Sequence, residues 1–189
     1  KFEELGALVE IIELPMAMEE VWEAWITLRS WSVANSLAKE FDDPEKRKLM
    51  KKPLKWEIKR GLLLKSDEIV QASKIRSEWF KKMASVLDQF DAAVLPSTQV
   101  QPFNTEKEYP EFISNYPMDT YHRWMQVVVP VSLIGLPAIN LPAGFCKNKL
   151  PFGIQLIGKQ FSDNNLLSIA ESWHKATSFP EKYPPVFPY

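Results

Sequence analysis

Histidine, cysteine and glycine are scarce in this sequence, with two, one and six among 189 residues. Each shortage closes off a kind of chemistry. A metal centre needs several His, Cys or carboxylate ligands at workable spacing. His122 and His174 are far apart in the chain, so neither a metal nor a cofactor is expected. The single cysteine, Cys146, cannot form an internal disulfide, which fits a reducing, cytoplasmic setting. Phosphate loops require GxxxxGK[ST], or GxGxxG between a strand and a helix, and neither pattern occurs. The GxSxG elbow of many serine hydrolases is missing too. No apolar run approaches the roughly 20 residues of a membrane-spanning helix. With 23 basic and 24 acidic residues the net charge is −1, so no bulk field draws in nucleic acid or an anionic membrane.

What is present is apolar bulk. Hydrophobic residues make up 46% of the chain, including seven tryptophans and eleven phenylalanines, enough for one packed domain over 1–189. Lys1–Gly6 reads as a helix end with Gly6 in the left-handed position past its cap, as if the chain starts inside an element. Ala7–Leu14 (ALVEIIEL) is apolar and β-branched and stops at Pro15, which predicts a short buried strand. From Met16 to Phe41 the period becomes helical, with Val21, Trp25 and Leu28 on a stripe widened by Met18, Trp22 and Trp31. A basic run, Lys46 to Arg60, holds Trp56 and is diluted by Glu45 and Glu57. Ser66 is the expected cap of a helix whose stripe is Ala72, Ile75, Trp79, Met83, Val86 and Phe90.

A short strand is predicted at Ala92–Leu95, a surface loop over Gln99–Pro117, and a helix over Asp119–Val129. Two strands, Ala138–Leu141 and Phe152–Ile157, flank a turn around Gly144–Lys149. Ser162 caps a last helix with Leu166, Ala170 and Trp173 on one face, and the proline-rich tail from Ser178 is extended. Strands alternating with helices predict an α/β fold whose few strands, apolar on both faces, lie in a sheet covered by helices.

The reactive side chains form no complete group. His122, between Tyr121 and Arg123, is a candidate general base; a hydrogen-bonded structural histidine is the competing reading. Cys146 has no base nearby in sequence and reads as a turn residue. The basic run could touch phosphates, yet its interleaved acids favour a solvated face. Four of the six glycines and three prolines crowd into Leu133–Gly158, at spacings too wide for one phosphate cradle.

That stretch carries a resemblance. Pro130-x-Ser132-x-x-Gly135-Leu136-Pro137-Ala138, then Asn140-x-Pro142-x-Gly144, then Leu150-Pro151-x-Gly153-x-Gln155-Leu156-Ile157-Gly158 resembles the C-terminal part of the amidase signature family. Phe161, Asp163, Leu166 and Leu167 continue it. Upstream, Asp91 with Pro96-Ser97-Thr98, and Gly61, Ala72 and Arg76, extend the match, which runs from about Gly6 to Thr177. The resemblance implies the C-terminal portion of an α/β/α fold with helices on a mixed sheet. It also implies an amidase that hydrolyses a carboxylic amide through an acyl-enzyme, using a Ser–cis-Ser–Lys triad and no cofactor.

That triad has no counterpart here, since the chain contains neither a Ser-Ser pair nor a Gly-Ser dipeptide. No catalytic residue is therefore assigned. The expected partner is the N-terminal half of the same amidase, together with a small amide substrate; homo-oligomerisation is left open. Gly135, Pro137, Pro142, Gly144, Pro151, Gly153, Gln155 and Gly158 are expected as scaffold beneath the site, and Trp124 and Met125 as its pocket wall. Ordinary helix packing is the alternative for those two. Ser132 stands where the family usually has Asn, and Lys149 where it often has Gly. Family members acting on glutamine for transfer RNA carry an acid at the position of Met125, so the resemblance implies a less polar amide here. A non-catalytic binding or scaffold module that keeps the amidase shape is the second reading.

Overall fold

The computed structural model describes residues 1–182 and 184. A 3-10 turn, Glu3–Leu5, ends on Gly6 at φ +91°, the left-handed cap expected from the sequence. Four helices follow: α1 (Met18–Asp42), α2 (Pro44–Leu49), α3 (Lys52–Leu63) and α4 (Ser66–Leu87). Next come β1 (Ala93–Pro96) and a small hairpin of β2 (Phe112–Ile113) and β3 (Tyr116–Pro117). A 3-10 helix, Arg123–Val128, leads into α5 (Val129–Ser132). The chain closes with β4 (Ala138–Phe145), β5 (Pro151–Ile157), α6 (Asp163–Thr177) and α7 (Phe179–Lys182).

The fold is α/β, as expected. The sheet has the order β1-β5-β4, and within these three strands every pairing is antiparallel. Alternation of side chains splits the core into two layers. On one face Leu156, Ile139 and Leu141 pack with Leu166, Ala170 and Trp173 of α6. On the other, Ile157 meets Trp22 and Ile26 of α1 and Trp79 and Met83 of α4, with Ala93 and Leu95 alongside. A third cluster, Ala34, Phe41 and Ile58, joins α1 to α3.

Several expectations are corrected. Ala7–Leu14 is exposed and forms no strand. Among the described residues no backbone hydrogen bond reaches residues 8–16, because neither β1 nor β4 runs beside them. On α1 the buried face is Trp22, Ile26, Ser30 and Ala34 rather than one through Trp31, which is exposed: the helix must pack against α3 as well as α4. Lys65, not Ser66, caps α4, and its N–H donates to Glu68 Oε2 at 2.8 Å. The helix expected over Asp119–Val129 is a 3-10 turn, Arg123–Val128, continued by α5 from Val129.

The loop expected over Gln99–Pro117 contains the β2–β3 hairpin. β4 continues through Pro142 to Phe145, since a register shift between Pro142 and Gly144 accommodates the proline on this edge strand. Lys149, where glycine is common in the resembling family, holds φ +64°. In the tail, Phe179–Lys182 is helical rather than extended; residues 183 and 185–189 lie outside the described residues.

The basic run forms α2 and α3, and α3 crosses α1 closely at Gly61. A Cβ there would overlap the Ser30 carbonyl and lie 2.6 Å from Ala34 Cβ. Gly61→Ala gains about 1 kcal/mol of helix propensity. Forcing two backbones apart costs roughly 3 kcal/mol, at the upper end of overpacking. The expected net is a loss of about 2 kcal/mol in chemical denaturation. A neutral or stabilised variant would contradict the close crossing.

Candidate functional site

The residues of the sequence motif fall on the turns and strands from α5 to the start of α6. Gly135 ends α5 at φ +64°, its N–H bonded to the Val131 carbonyl at 3.0 Å, and the turn delivers Pro137 to the start of β4. The Pro137 carbonyl accepts from Gly158 N–H at 3.0 Å. A Cβ on Gly158 would sit 2.6 Å from Ser162 Oγ and 2.8 Å from Leu166 Cγ, so its absence lets α6 start against the sheet. The Pro142 carbonyl accepts from Trp173 Nε1 at 2.8 Å, tying β4 to α6. Gly144 occupies the bulge at φ +136°, and Pro151 opens β5. These six positions shape the two-stranded scaffold.

Gly153 and Gln155 behave differently, because they reach toward the C-terminal end of β1. Gly153 accepts from Ser97 N–H at 3.0 Å, and a Cβ on it would lie 2.9 Å from Ser97 Oγ. Ser97 Oγ is thereby left facing Asn140 Oδ1, to which it donates at 2.9 Å. The amide of Gln155, buried in the sheet, donates to Pro96 O at 2.9 Å and to Val127 O at 3.1 Å. Gln99 adds a second stitch, donating to Arg123 O at 3.1 Å and accepting from Val127 N–H at 2.9 Å. Two glutamines thus clamp the 3-10 turn Arg123–Val128 to the end of β1.

Trp124 and Met125 ride on that clamped turn. Trp124 meets Phe103 edge-to-face with centroids 5.5 Å apart, and its Nε1, although buried, has no hydrogen-bond partner among the described residues. The turn is also anchored to α1. The Arg123 guanidinium donates to Glu19 at 2.9 and 3.0 Å and to Asp119 at 3.0 and 3.1 Å, and it lies 4.3 Å from the Trp22 ring centroid. Hydrogen bonding to Arg123 holds the Asp119 carboxyl below its ordinary range.

His122 precedes the turn. Its ring is buried among Trp25, Trp56 and Tyr121, with centroids 5.4 to 6.2 Å away. Nε2 is 3.6 Å from Glu57 Oε2, while Arg29 Nε lies 2.5 Å from Glu57 Oε1. Burial, helped by the Arg29 charge, pushes His122 down to about 4. Burial also raises Glu57, against the pull of Arg29. The imidazole is enclosed among the described residues. The sequence did hold a signal for Glu57: with Leu54, Ile58 and Gly61 it falls on the inward stripe of α3, at i, i+3, i+4 and i+7.

Chemically, the assembled surface is polar and well held. Cys146 Sγ faces two acceptors within its own turn, Asn148 Oδ1 at 2.6 Å and Leu150 O at 2.8 Å, which its single S–H can serve one at a time. Among the described residues no group of three or more His, Cys, Asp or Glu could hold a metal, and no helix is long and apolar enough to cross a membrane. Ser97, Asn140, Gln155 and the 3-10 turn are held together by side-chain hydrogen bonds around the end of β1.

Comparison with known proteins bears on the family and the fold. A family model described as Amidase matches residues 3–167. A glutamyl-tRNA(Gln) amidotransferase subunit of Legionella pneumophila (strain Corby) is 28% identical over 201 aligned positions, covering 94% of this chain and 40% of the relative. The corresponding protein of Dehalococcoides mccartyi (strain 195) is 32% identical over 115 residues, covering 61% of this chain and 22% of the relative. Among solved structures, a bacterial aryl acylamidase of the amidase signature enzymes superposes over 100% of this chain and 41% of its own, with TM-score 0.82 and 24% identity. The chain therefore spans well under half the length of these relatives.

Proposed function

Because the chain belongs to the amidase family, we propose that it is the C-terminal portion of an amide hydrolase, completing the sheet and forming one wall of the substrate pocket. The observation that carries this reading is the double glutamine clamp. Gln155 and Gln99 lock the turn bearing Trp124 and Met125 against the end of β1, where Ser97 and Asn140 also converge. A wall held this firmly suits orientation of a bound amide, whereas the nucleophile and its base come from the N-terminal half. Met125 presents a thioether where a charged head group would need an acid. The substrate is accordingly a weakly polar amide, not glutamine, even though the curated relatives above are named for an amidotransferase. The reaction belongs to the intact protein, and the 189 residues are inactive alone.

A serine-directed acylating probe and a panel of aryl, alkyl and glutamine amides test this. The longer protein should turn over aryl or alkyl amides and carry the probe outside these 189 residues. The purified chain should show no turnover. Turnover by the isolated chain would overturn the assignment, and a glutamine preference in the longer protein would overturn the substrate class. Failure of the longer protein to cleave any amide would favour the non-catalytic module.

A further inference from the structure

The 3-10 turn Arg123–Val128 buries none of its own residues, so apolar packing does not set where it sits. Burial resumes at Val129. The glutamine clamp grips the turn's backbone at two places, the Arg123 carbonyl and the Val127 peptide. Four residues separate them, about 8 Å along a 3-10 axis. Two points on an axis do little to resist a roll about it. The Arg123 side chain supplies a third point, away from the axis. Its Nε and one terminal nitrogen donate to both oxygens of Asp119, and its two terminal nitrogens donate to both oxygens of Glu19. Two bidentate carboxylates thus hold the guanidinium, an arrangement that fixes its plane. Against it lies the ring of Trp22, buried in the core between α1 and α4. Glu19 and Trp22 both belong to the start of α1, so the orientation of the turn is referred to a rigid core helix.

We propose that Arg123 is a positioning residue for amide selectivity: through Glu19 and Asp119 it fixes the roll of the turn, and with it the direction in which Trp124 and Met125 enter the pocket. This rests on the reading of that turn as one wall of the substrate pocket. Arg123 acts through its neighbours and needs no contact with substrate. Trp124 and Met125 follow it directly in the chain, so a roll at Arg123 passes straight to them. A displacement of 1 Å at such a wall can cost about 100-fold in rate. Stability alone does not account for the cluster. The side chains of Glu19 and Asp119 are more than half exposed, and exposed ion pairs add little to folding. What the double fork adds is direction. Lysine, a point charge on a flexible stem, cannot make two bidentate pairs and would not reproduce it.

Steady-state kinetics of the longer protein, on the two fastest amides of the aryl and alkyl panel, test this. Arg123→Ala should lower kcat/KM on the better amide about 10-fold and change the ratio between the two at least about 3-fold. A merely structural loss removes active molecules, lowers both values by one factor and leaves the ratio where it was. Arg123→Lys should not restore the ratio. Glu19→Gln should shift it in the same direction by less, and should add nothing to Arg123→Ala, because it acts through the same side chain. Where Arg123→Ala does not fold, Glu19→Gln carries the test. Hydrogen exchange gives a readout free of activity. The amides of Met125 and Val127, which donate to the His122 carbonyl and to Gln99 Oε1, should exchange about 10-fold faster in Arg123→Ala, with β5 unchanged. An unchanged ratio in an active longer protein, its full restoration by lysine, or unchanged exchange in the turn would overturn the inference and leave amide hydrolysis standing. A wild-type longer protein that cleaves no amide would overturn the functional reading, and the selectivity role with it, even where the turn loosens as expected.

Discussion

Trp79→Ala should cost about 3–5 kcal/mol of folding free energy, the range for deleting a large buried aromatic. Trp79 is fully buried where α4 meets α1 and the sheet, among Trp22, Met83, Val129 and Ile157. Its loss opens a cavity between layers that cannot collapse without moving two helices. It also removes a hydrogen bond, since Trp79 Nε1 donates to Pro130 O at 2.7 Å. That bond fixes the start of α5, directly after the turn carrying Trp124 and Met125. Trp79→Phe separates the two roles. It keeps most of the apolar area and strips the donor from a buried carbonyl, at a cost of about 1–3 kcal/mol. Urea denaturation of both variants checks this. A loss under about 1 kcal/mol in Trp79→Ala, well below the range for such a deletion, would show that the layers do not pack as described.

The second large effect is a loss of stability with acid. His122 titrates near 6.5 in the unfolded chain and about 4 in the folded one. Above pH 6.5 both states are neutral and the buried ring costs nothing in protons. As pH falls from 6.5 toward 4, the unfolded chain takes up a proton that the folded chain refuses, so stability declines through that window by about 3 kcal/mol. Glu57 works the other way. Its folded value is raised, so the folded state takes its proton first, and acidification through that value returns some stability. Folding free energies at intervals between about pH 7 and pH 4 should fall in the wild type and flatten in His122→Gln. Glu57→Gln, which lacks the offset, should steepen the loss. An unchanged slope in His122→Gln would place the acid sensitivity elsewhere.

Much of this was legible in the chain itself. The α6 stripe of Leu166, Ala170 and Trp173 is buried as its spacing predicts, and so are Ala72, Trp79 and Met83 on α4. In the run from Gly135 to Gly158 the turns at Gly135 and Gly144 hold positive φ, and such left-handed turns are local demands that leave a local trace. What failed depended on partners. Trp31 has the period of a buried residue, yet α1 must satisfy two neighbouring helices and turns it outward. Glu57 looked like one more charge in a basic run, and only the packing of α3 on α1 brings it to Arg29 and His122. The clamp by Gln99 and Gln155 joins residues 24 to 59 positions apart, a spacing that no local pattern marks.

By itself, then, the sequence determined the family, the α/β class, the helices with a single buried face and the turns, since each rests on steric or periodic constraints within a few residues. Tertiary structure decided which of two faces a helix buries and that His122 is enclosed. It also decided that the turn bearing Trp124 and Met125 is clamped from two sides, and that Ala7–Leu14 has no strand partner among the described residues. The physical reason is common to all four. Burial and hydrogen bonding are settled between elements distant in the chain, and a strand is a strand only when its neighbours are present.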